Sequence, residues 1–144
     1  MPVSAPDSAE RTLVLLKPDA VRRGLVGEIL RRYEAKGLRL VALELRTIDA
    51  ALSDEHYHEH VERDFYPPLR AFVTSGPLVA LVLEGDSVIE VVRAINGATD
   101  ARVAAPGTIR GDLALYNREN LVHGSDSAES AVREIGVWFP ALQS

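Results

Sequence analysis

Two nearly unbroken apolar runs, Thr12-Leu13-Val14-Leu15-Leu16 and Leu78 to Leu83, lie in different halves of the chain and bound what it can fold into. Apolar runs of this length, flanked by charged or turn residues, read as buried strands at the centre of a sheet. With 144 residues, 47% of them hydrophobic, the chain suits one domain with a substantial core around those strands. The first run stops at the charged turn Lys17-Pro18-Asp19, which leaves a lysine at its exit.

The other elements follow from local pattern. Between Gly24 and Lys36, residues Leu25, Val26, Ile29, Leu30 and Tyr33 share one helical face, and Gly37 is the expected stop. From Leu38 to Ile48 the alternation changes phase, which predicts a long strand with a bulge near Val41-Ala42. Asp49 caps a short helix, and Phe65-Tyr66-Pro67-Pro68 opens another that runs to Val73, with Phe65 near the surface. Ser87 with Glu90 reads as a capping box before a helix whose stripe is Val88, Val91, Val92 and Ile95, with Arg93 off it. Residues 98–120 form a long loop containing Pro106-Gly107-Thr108-Ile109-Arg110-Gly111-Asp112, in which Thr99 and Arg110 are candidate phosphate donors. The order reduces to β-α-β-β-α-β, an α+β ferredoxin-like sandwich with an antiparallel sheet and extra short helices.

Chemistry concentrates in Asn120-Leu121-Val122-His123-Gly124-Ser125-Asp126-Ser127. Leu121-Val122 suits a strand end, Gly124 and Ser125 break the pattern so that the chain is expected to turn at His123, and Asp126 with Glu129 reads as a capping-box variant for the next helix. A helix N-terminus favours anions. An imidazole beside it keeps a lone pair at neutral pH and can act as a nucleophile if its other nitrogen is held. Glu134, on the same helix, is the candidate holder that would fix the tautomer. The plainer alternative is an ordinary histidine before a surface helix.

Four function classes are excluded or weakened. The chain contains no cysteine, which removes thiol chemistry, and no apolar run approaches a membrane span. A net charge of −5 argues against general nucleic-acid affinity. His56-Tyr57-His58-Glu59-His60 matches the H-x-x-E-H zinc peptidase pattern, but a third ligand is not evident, so it reads as a solvated helix face. The start, MPVSAPDSAE, has neither basic residues nor an apolar core and is expected to be a disordered tail in a cytoplasmic protein. The expected organisation is a tail over 1–10, one domain over 11–139 and a short tail over 140–144.

Residues Arg11 to Asp19, His56-Tyr57, Ser75-Gly76-Pro77, Pro106 to Asp112 and Asn120 to Ser127 together closely resemble the nucleoside diphosphate kinase family. The resemblance implies ping-pong transfer of the terminal phosphoryl of ATP or another nucleoside triphosphate to His123 and on to a nucleoside diphosphate, with Mg²⁺ held mainly by the nucleotide phosphates. It implies attack by Nδ1 of His123 while Glu134 holds Nε2, with Ser125 beside the glutamate. It also implies that Lys17, Arg93, Thr99 and Arg110 contact phosphates, that Asn120 and Lys17 reach the ribose, that Tyr57 lies by the phosphates, and that Phe65 stacks on the base. A homo-oligomer, hexamer or tetramer, is the implied assembly, with no requirement for membrane or nucleic acid. Asp64, Tyr66 and Ala101 depart from the family pattern. A nucleotide-binding module without turnover is the competing class, and the joint presence of His123 and Glu134 argues against it.

Overall fold

The computed structural model describes residues 9–142. In chain order it contains β1 (Glu10–Leu16), α1 (Pro18–Arg22), α2 (Val26–Ala35), β2 (Arg39–Arg46), α3 (Ala50–His56) and α4 (Tyr66–Val73). These are followed by β3 (Leu78–Gly85), α5 (Val88–Asn96), α6 (Ile109–Leu113), β4 (Val122–Gly124) and α7 (Ala128–Trp138), with 3₁₀ turns at Ala101–Val103 and Pro140–Leu142. The sheet order is β2-β3-β1-β4 and every pairing is antiparallel. This is the ferredoxin-like α+β sandwich expected from the element order.

The two apolar runs are β1 and β3, paired from Glu10↔Gly85 to Leu16↔Val79 at the middle of the sheet. Their unbroken hydrophobicity has a direct cause. Val14, Leu16, Val79, Leu81 and Leu83 pack on one face with Ile29 and Tyr33 of α2 and Val88 and Val92 of α5. Leu13, Leu15, Leu78, Ala80 and Val82 pack on the other with Phe72 and Val73 of α4 and Ile135 and Trp138 of α7. The minimal β-α-β-β-α-β unit leaves that second face open, and here α4 and α7 cover it, so neither central strand has a wet side.

Several local expectations hold. The β2–β3 register shifts between Leu40 and Ala42, which places the bulge at Val41. Asp49 caps α3 by accepting from the Leu52 amide, and Gly37 takes a positive φ of 101° just after α2. Tyr66, one of the three departures, is buried and its hydroxyl meets Ser53 at 2.8 Å and donates to Asp54 at 2.7 Å, which ties α4 to α3.

Five expectations are corrected. Lys17-Pro18-Asp19 is not a bare turn: Pro18 opens α1, since its fixed φ and missing N–H suit a first helical position. Ser87 makes no capping hydrogen bond to α5, and its backbone is left-handed, with a φ of 53°, where a capping residue is normally extended; Glu10 accepts from the Ile89 amide at 3.1 Å instead. Glu10 thus belongs to β1 and not to a tail; of the remaining tail expectation, residues 1–8 lie outside the described residues and Ala9 precedes the strand. Ser127, not Asp126, caps α7 by accepting from the Ser130 amide at 3.0 Å. Pro140–Leu142 form the 3₁₀ turn that packs Leu142 against the second core.

Candidate active site

His123 lies inside β4 opposite Leu15 of β1, so the chain turns after it and not at it. Its placement depends on an unusual backbone. Leu121 is fully buried with a φ of 75°, a strained conformation for a branched residue. Two hydrogen bonds hold it there: the Leu121 amide donates to Asp19 Oδ2 at 3.1 Å, and its carbonyl accepts from the Lys17 amide at 2.8 Å. Burial raises the Asp19 pKa, and its Oδ1 has no hydrogen-bond partner among the described residues.

Past the histidine, Ser125 continues the attachment to β1. The Ser125 amide donates to Leu13 O at 3.1 Å, and Ser125 Oγ accepts from the Leu13 amide at 3.2 Å. The same hydroxyl donates to Glu134 Oε1 at 2.8 Å. That oxygen also lies 2.9 Å from His123 Nε2. A carboxylate beside an imidazole is an acceptor, so this contact assigns the proton to Nε2 and leaves the lone pair on Nδ1.

The histidine faces a cavity of about 710 Å³, within the range that holds a nucleotide-sized ligand. Lys17, Tyr57, Phe65, Arg93, Thr99, Arg110, Asn120, His123 and Glu134 all line it. Of the residues named from sequence, only Ser125 stands behind the wall. Lys17 is not a solvated strand end: it is 8% exposed and its Nζ donates to Asn120 Oδ1 at 2.9 Å. Burial, with the Arg110 charge adding to it, pushes the Lys17 ammonium down from 10.5 to about 8. Asn120 in turn donates from Nδ2 to Thr99 O at 2.8 Å and Asn117 O at 3.0 Å, which fastens the long loop.

Arg110 is buried and its donors face backbone carbonyls: Nη1 to Gly97 at 2.7 Å, Nη2 to Val122 at 2.6 Å and Nε to Asn120 at 3.3 Å. Burial lowers its pKa, yet a guanidinium stays charged at neutral pH. The cation is therefore also the clamp that joins α5, the loop and β4. Its position on α6 depends on Thr108, which caps that helix by accepting from the Gly111 amide at 2.9 Å. Phe65 is 48% exposed at the cavity mouth, with the His60 ring 5.3 Å away.

The H-x-x-E-H pattern dissolves because α3 ends at His56, so His56 and His60 do not share a helical turn. His56 is also not solvated: it is 3% exposed, and Trp138 Nε1 donates to its Nδ1 at 2.9 Å. Among the described residues, His56, His123 and Glu134 form the one cluster with metal-ligand spacing, their ligand atoms lying within 4.8 Å of one another. The donor set does not fit a resident ion. His56 Nδ1 is taken by the indole and Nε2 carries the proton, so no lone pair remains. Nothing in the sequence pattern around His56 signalled this burial, because the residue that causes it is 82 positions away.

A cationic, nucleotide-sized cavity with an oriented imidazole on its wall, carried by a ferredoxin-like sandwich, is the architecture of a phosphotransferase. The nucleoside diphosphate kinase family model matches residues 10–143. A nucleoside diphosphate kinase from Nocardioides sp. is 76% identical over 92% of this chain and 98% of its own, and one from Mycobacteroides abscessus is 63% identical over the same shares. Among solved structures, the halophilic nucleoside diphosphate kinase from Halobacterium salinarum in complex with CDP superposes with a TM-score of 0.88 at 48% identity, covering 90% of this chain and 87% of that one. A family member from Babesia bovis superposes with a TM-score of 0.89 at 42% identity, covering 93% and 90%. The chain belongs to the nucleoside diphosphate kinase family, whose members move a phosphoryl group from nucleoside triphosphates to nucleoside diphosphates.

Proposed function

We propose that this chain carries out that transfer in two half-reactions through His123. In the first, the Nδ1 lone pair attacks the terminal phosphorus of a nucleoside triphosphate, a P–N bond forms, the bridging P–O bond breaks and the diphosphate leaves. In the second, a terminal oxygen of an incoming nucleoside diphosphate attacks the same phosphorus and the P–N bond breaks. The observation that carries this reading is the 2.9 Å contact between His123 Nε2 and Glu134 Oε1, which fixes the tautomer and offsets the positive charge of a phosphorylated ring.

Lys17, Arg93, Thr99 and Arg110 are assigned to the phosphates, Asn120 and Lys17 to the ribose, Phe65 to the base, and Tyr57 to the cavity wall beside the phosphates. Phosphoryl transfer needs chiefly positioning and charge neutralisation, which this set supplies. Mg²⁺ is assigned to the nucleotide phosphates, whose charge it neutralises when bound. The carboxylate beside the nucleophile, Glu134, is committed to His123 and Ser125 and is therefore not free to hold the ion.

The working unit is read as a homo-oligomer, hexamer or tetramer, in the cytoplasm. Exposed Leu43 and Leu45 on the edge strand β2 support the association, and no described helix is long and apolar enough to cross a membrane. Sedimentation velocity separates the two assemblies.

The deciding experiment incubates the protein with γ-labelled ATP. The label should be acid-labile, base-stable, located on His123 and discharged by any nucleoside diphosphate. An active His123→Ala protein, or label on Ser125, overturns the assignment.

A further inference from the structure

The cavity holds a second imidazole. His56, the last residue of α3, stands edge-on to His123, with ring centroids 4.8 Å apart and planes at 81°. An indole N–H only donates, so the Trp138 bond at 2.9 Å requires a lone pair on His56 Nδ1, and the neutral ring carries its proton on Nε2. Burial, reinforced by the neighbouring His123, Arg133, Lys17 and His60, pushes the His56 pKa well below the ordinary value and keeps the ring neutral.

Helix α7 imposes this arrangement from one face. Glu134 and Trp138 are one turn apart, the first holding Nε2 of His123 and the second holding Nδ1 of His56. Arg133 of the same helix donates to the Glu55 carbonyl at 3.0 Å and the His56 carbonyl at 2.9 Å, which fixes the end of α3. With Nδ1 engaged behind it, the one polar group His56 has left is Nε2–H, and the residue lies in the cavity wall beside the nucleophile.

We propose that His56 is a further catalytic residue, its Nε2–H donating to a non-bridging oxygen of the phosphoryl group as it passes to and from His123, with Trp138 as the positioning residue that fixes that proton. The Trp138 bond fixes that proton before the reaction, and a preorganised donor beside a transferring phosphoryl group stabilises the charge of the transition state. No proton moves in this step. Because its Nδ1 lone pair is occupied, His56 does not compete with His123 for the phosphoryl group. The inference rests on the assignment of His123 as nucleophile.

The test compares full-length wild-type protein with His56→Leu, His56→Gln and Trp138→Phe. The glutamine amide reaches the place of Nε2 and restores a donor, whereas leucine restores only volume. Rapid-quench labelling with ATP and Mg²⁺ should show single-turnover phosphorylation of His123 slowed about 10–100-fold in His56→Leu, with the ATP concentration for half-maximal rate little changed. His56→Gln should recover at least several-fold of that loss. The phosphorus-31 resonance of the phosphoenzyme should move in His56→Leu and return part of the way in His56→Gln. Nitrogen-15 spectra of the wild type should place the His56 proton on Nε2, and Trp138→Phe should redistribute it to both nitrogens and slow labelling.

Equal rates for the leucine and glutamine variants, a wild-type rate in His56→Leu, or a wild-type proton on Nδ1 would overturn the proposal. If His56→Leu does not fold, a Trp138→Phe protein with redistributed tautomers but unchanged rate and phosphorus shift overturns it equally. Wild-type protein that takes no label on His123 sinks the nucleophile assignment itself. Normal labelling that is indifferent to position 56 sinks only the role of His56.

Discussion

Lys17 Nζ donates to Asn120 Oδ1 at 2.9 Å, joining the end of β1 to the residue that opens the His123 segment, 103 positions later. The bond puts a buried ammonium on the cavity wall, and burial has lowered its pKa from 10.5 to about 8. Between those values the unfolded chain binds the proton that the folded chain has released. Stability contributed by this group therefore rises with pH from about 8 to 10.5, because deprotonation relieves the cost of burying the charge.

Nucleotide capture should run the opposite way. As pH rises through about 8, Lys17 loses the charge that attracts phosphate, so kcat/KM for ATP should fall on the alkaline side. Lys17→Met should lower activity throughout and flatten that limb, while its unfolding free energy fails to gain on the wild type's schedule above pH 8. A wild-type profile that stays level across this range would contradict the placement.

Glu134→Gln should preserve the site's geometry. The amide oxygen can still accept from both His123 Nε2 and Ser125 Oγ, as Oε1 does at 2.9 and 2.8 Å. Only the charge that favours a phosphorylated ring is removed. Labelling should persist but slow by about 10–100-fold, the scale of a lost charge-assisted hydrogen bond. A rapid-quench rate equal to wild type would show that the carboxylate acts only as a spacer.

Arg110→Ala should cost both activity and stability. It removes a cation from the cavity and leaves the carbonyls of Gly97 and Val122 without their donor. Loss of transition-state stabilisation on the order of 2–4 kcal/mol is expected in kcat/KM. Arg110→Lys should rescue partly, since an ammonium cannot span carbonyls on opposite sides of the guanidinium. Denaturant unfolding followed beside kcat/KM separates the two losses; wild-type values in both would mean that the clamp is idle.

Gly111→Ala should be the most damaging small change in the long loop. A Cβ there runs into the Ala105 carbonyl and crowds Thr108 Oγ1, the atom that caps α6. The segment that aims Arg110 must then open, at a cost of about 1–3 kcal/mol or more for overpacking against backbone. Gly76→Ala, where a Cβ meets nothing within 4 Å, is the control. Equal unfolding midpoints for the two variants would refute the close approach.

The sequence by itself determined the parts of this protein that depend on neighbours within a turn or a pleat. The apolar runs of β1 and β3, the phase change that marks the Val41 bulge, the stop at Gly37 and the Asp49 cap are all written in residues a few positions apart, and the structure keeps each of them. The blocks around Lys17, Arg110 and His123 likewise named residues that line one cavity. What only the tertiary structure decided is which polar groups meet across the chain. Glu10 replaced Ser87 as the cap of α5, Asp19 pinned Leu121 at positive φ, and Trp138 turned an apparently solvated His56 into a buried ring with a fixed proton. These outcomes have one physical cause. A buried donor or acceptor must find a partner wherever the packed core places one, and that choice is made between segments that share no local pattern.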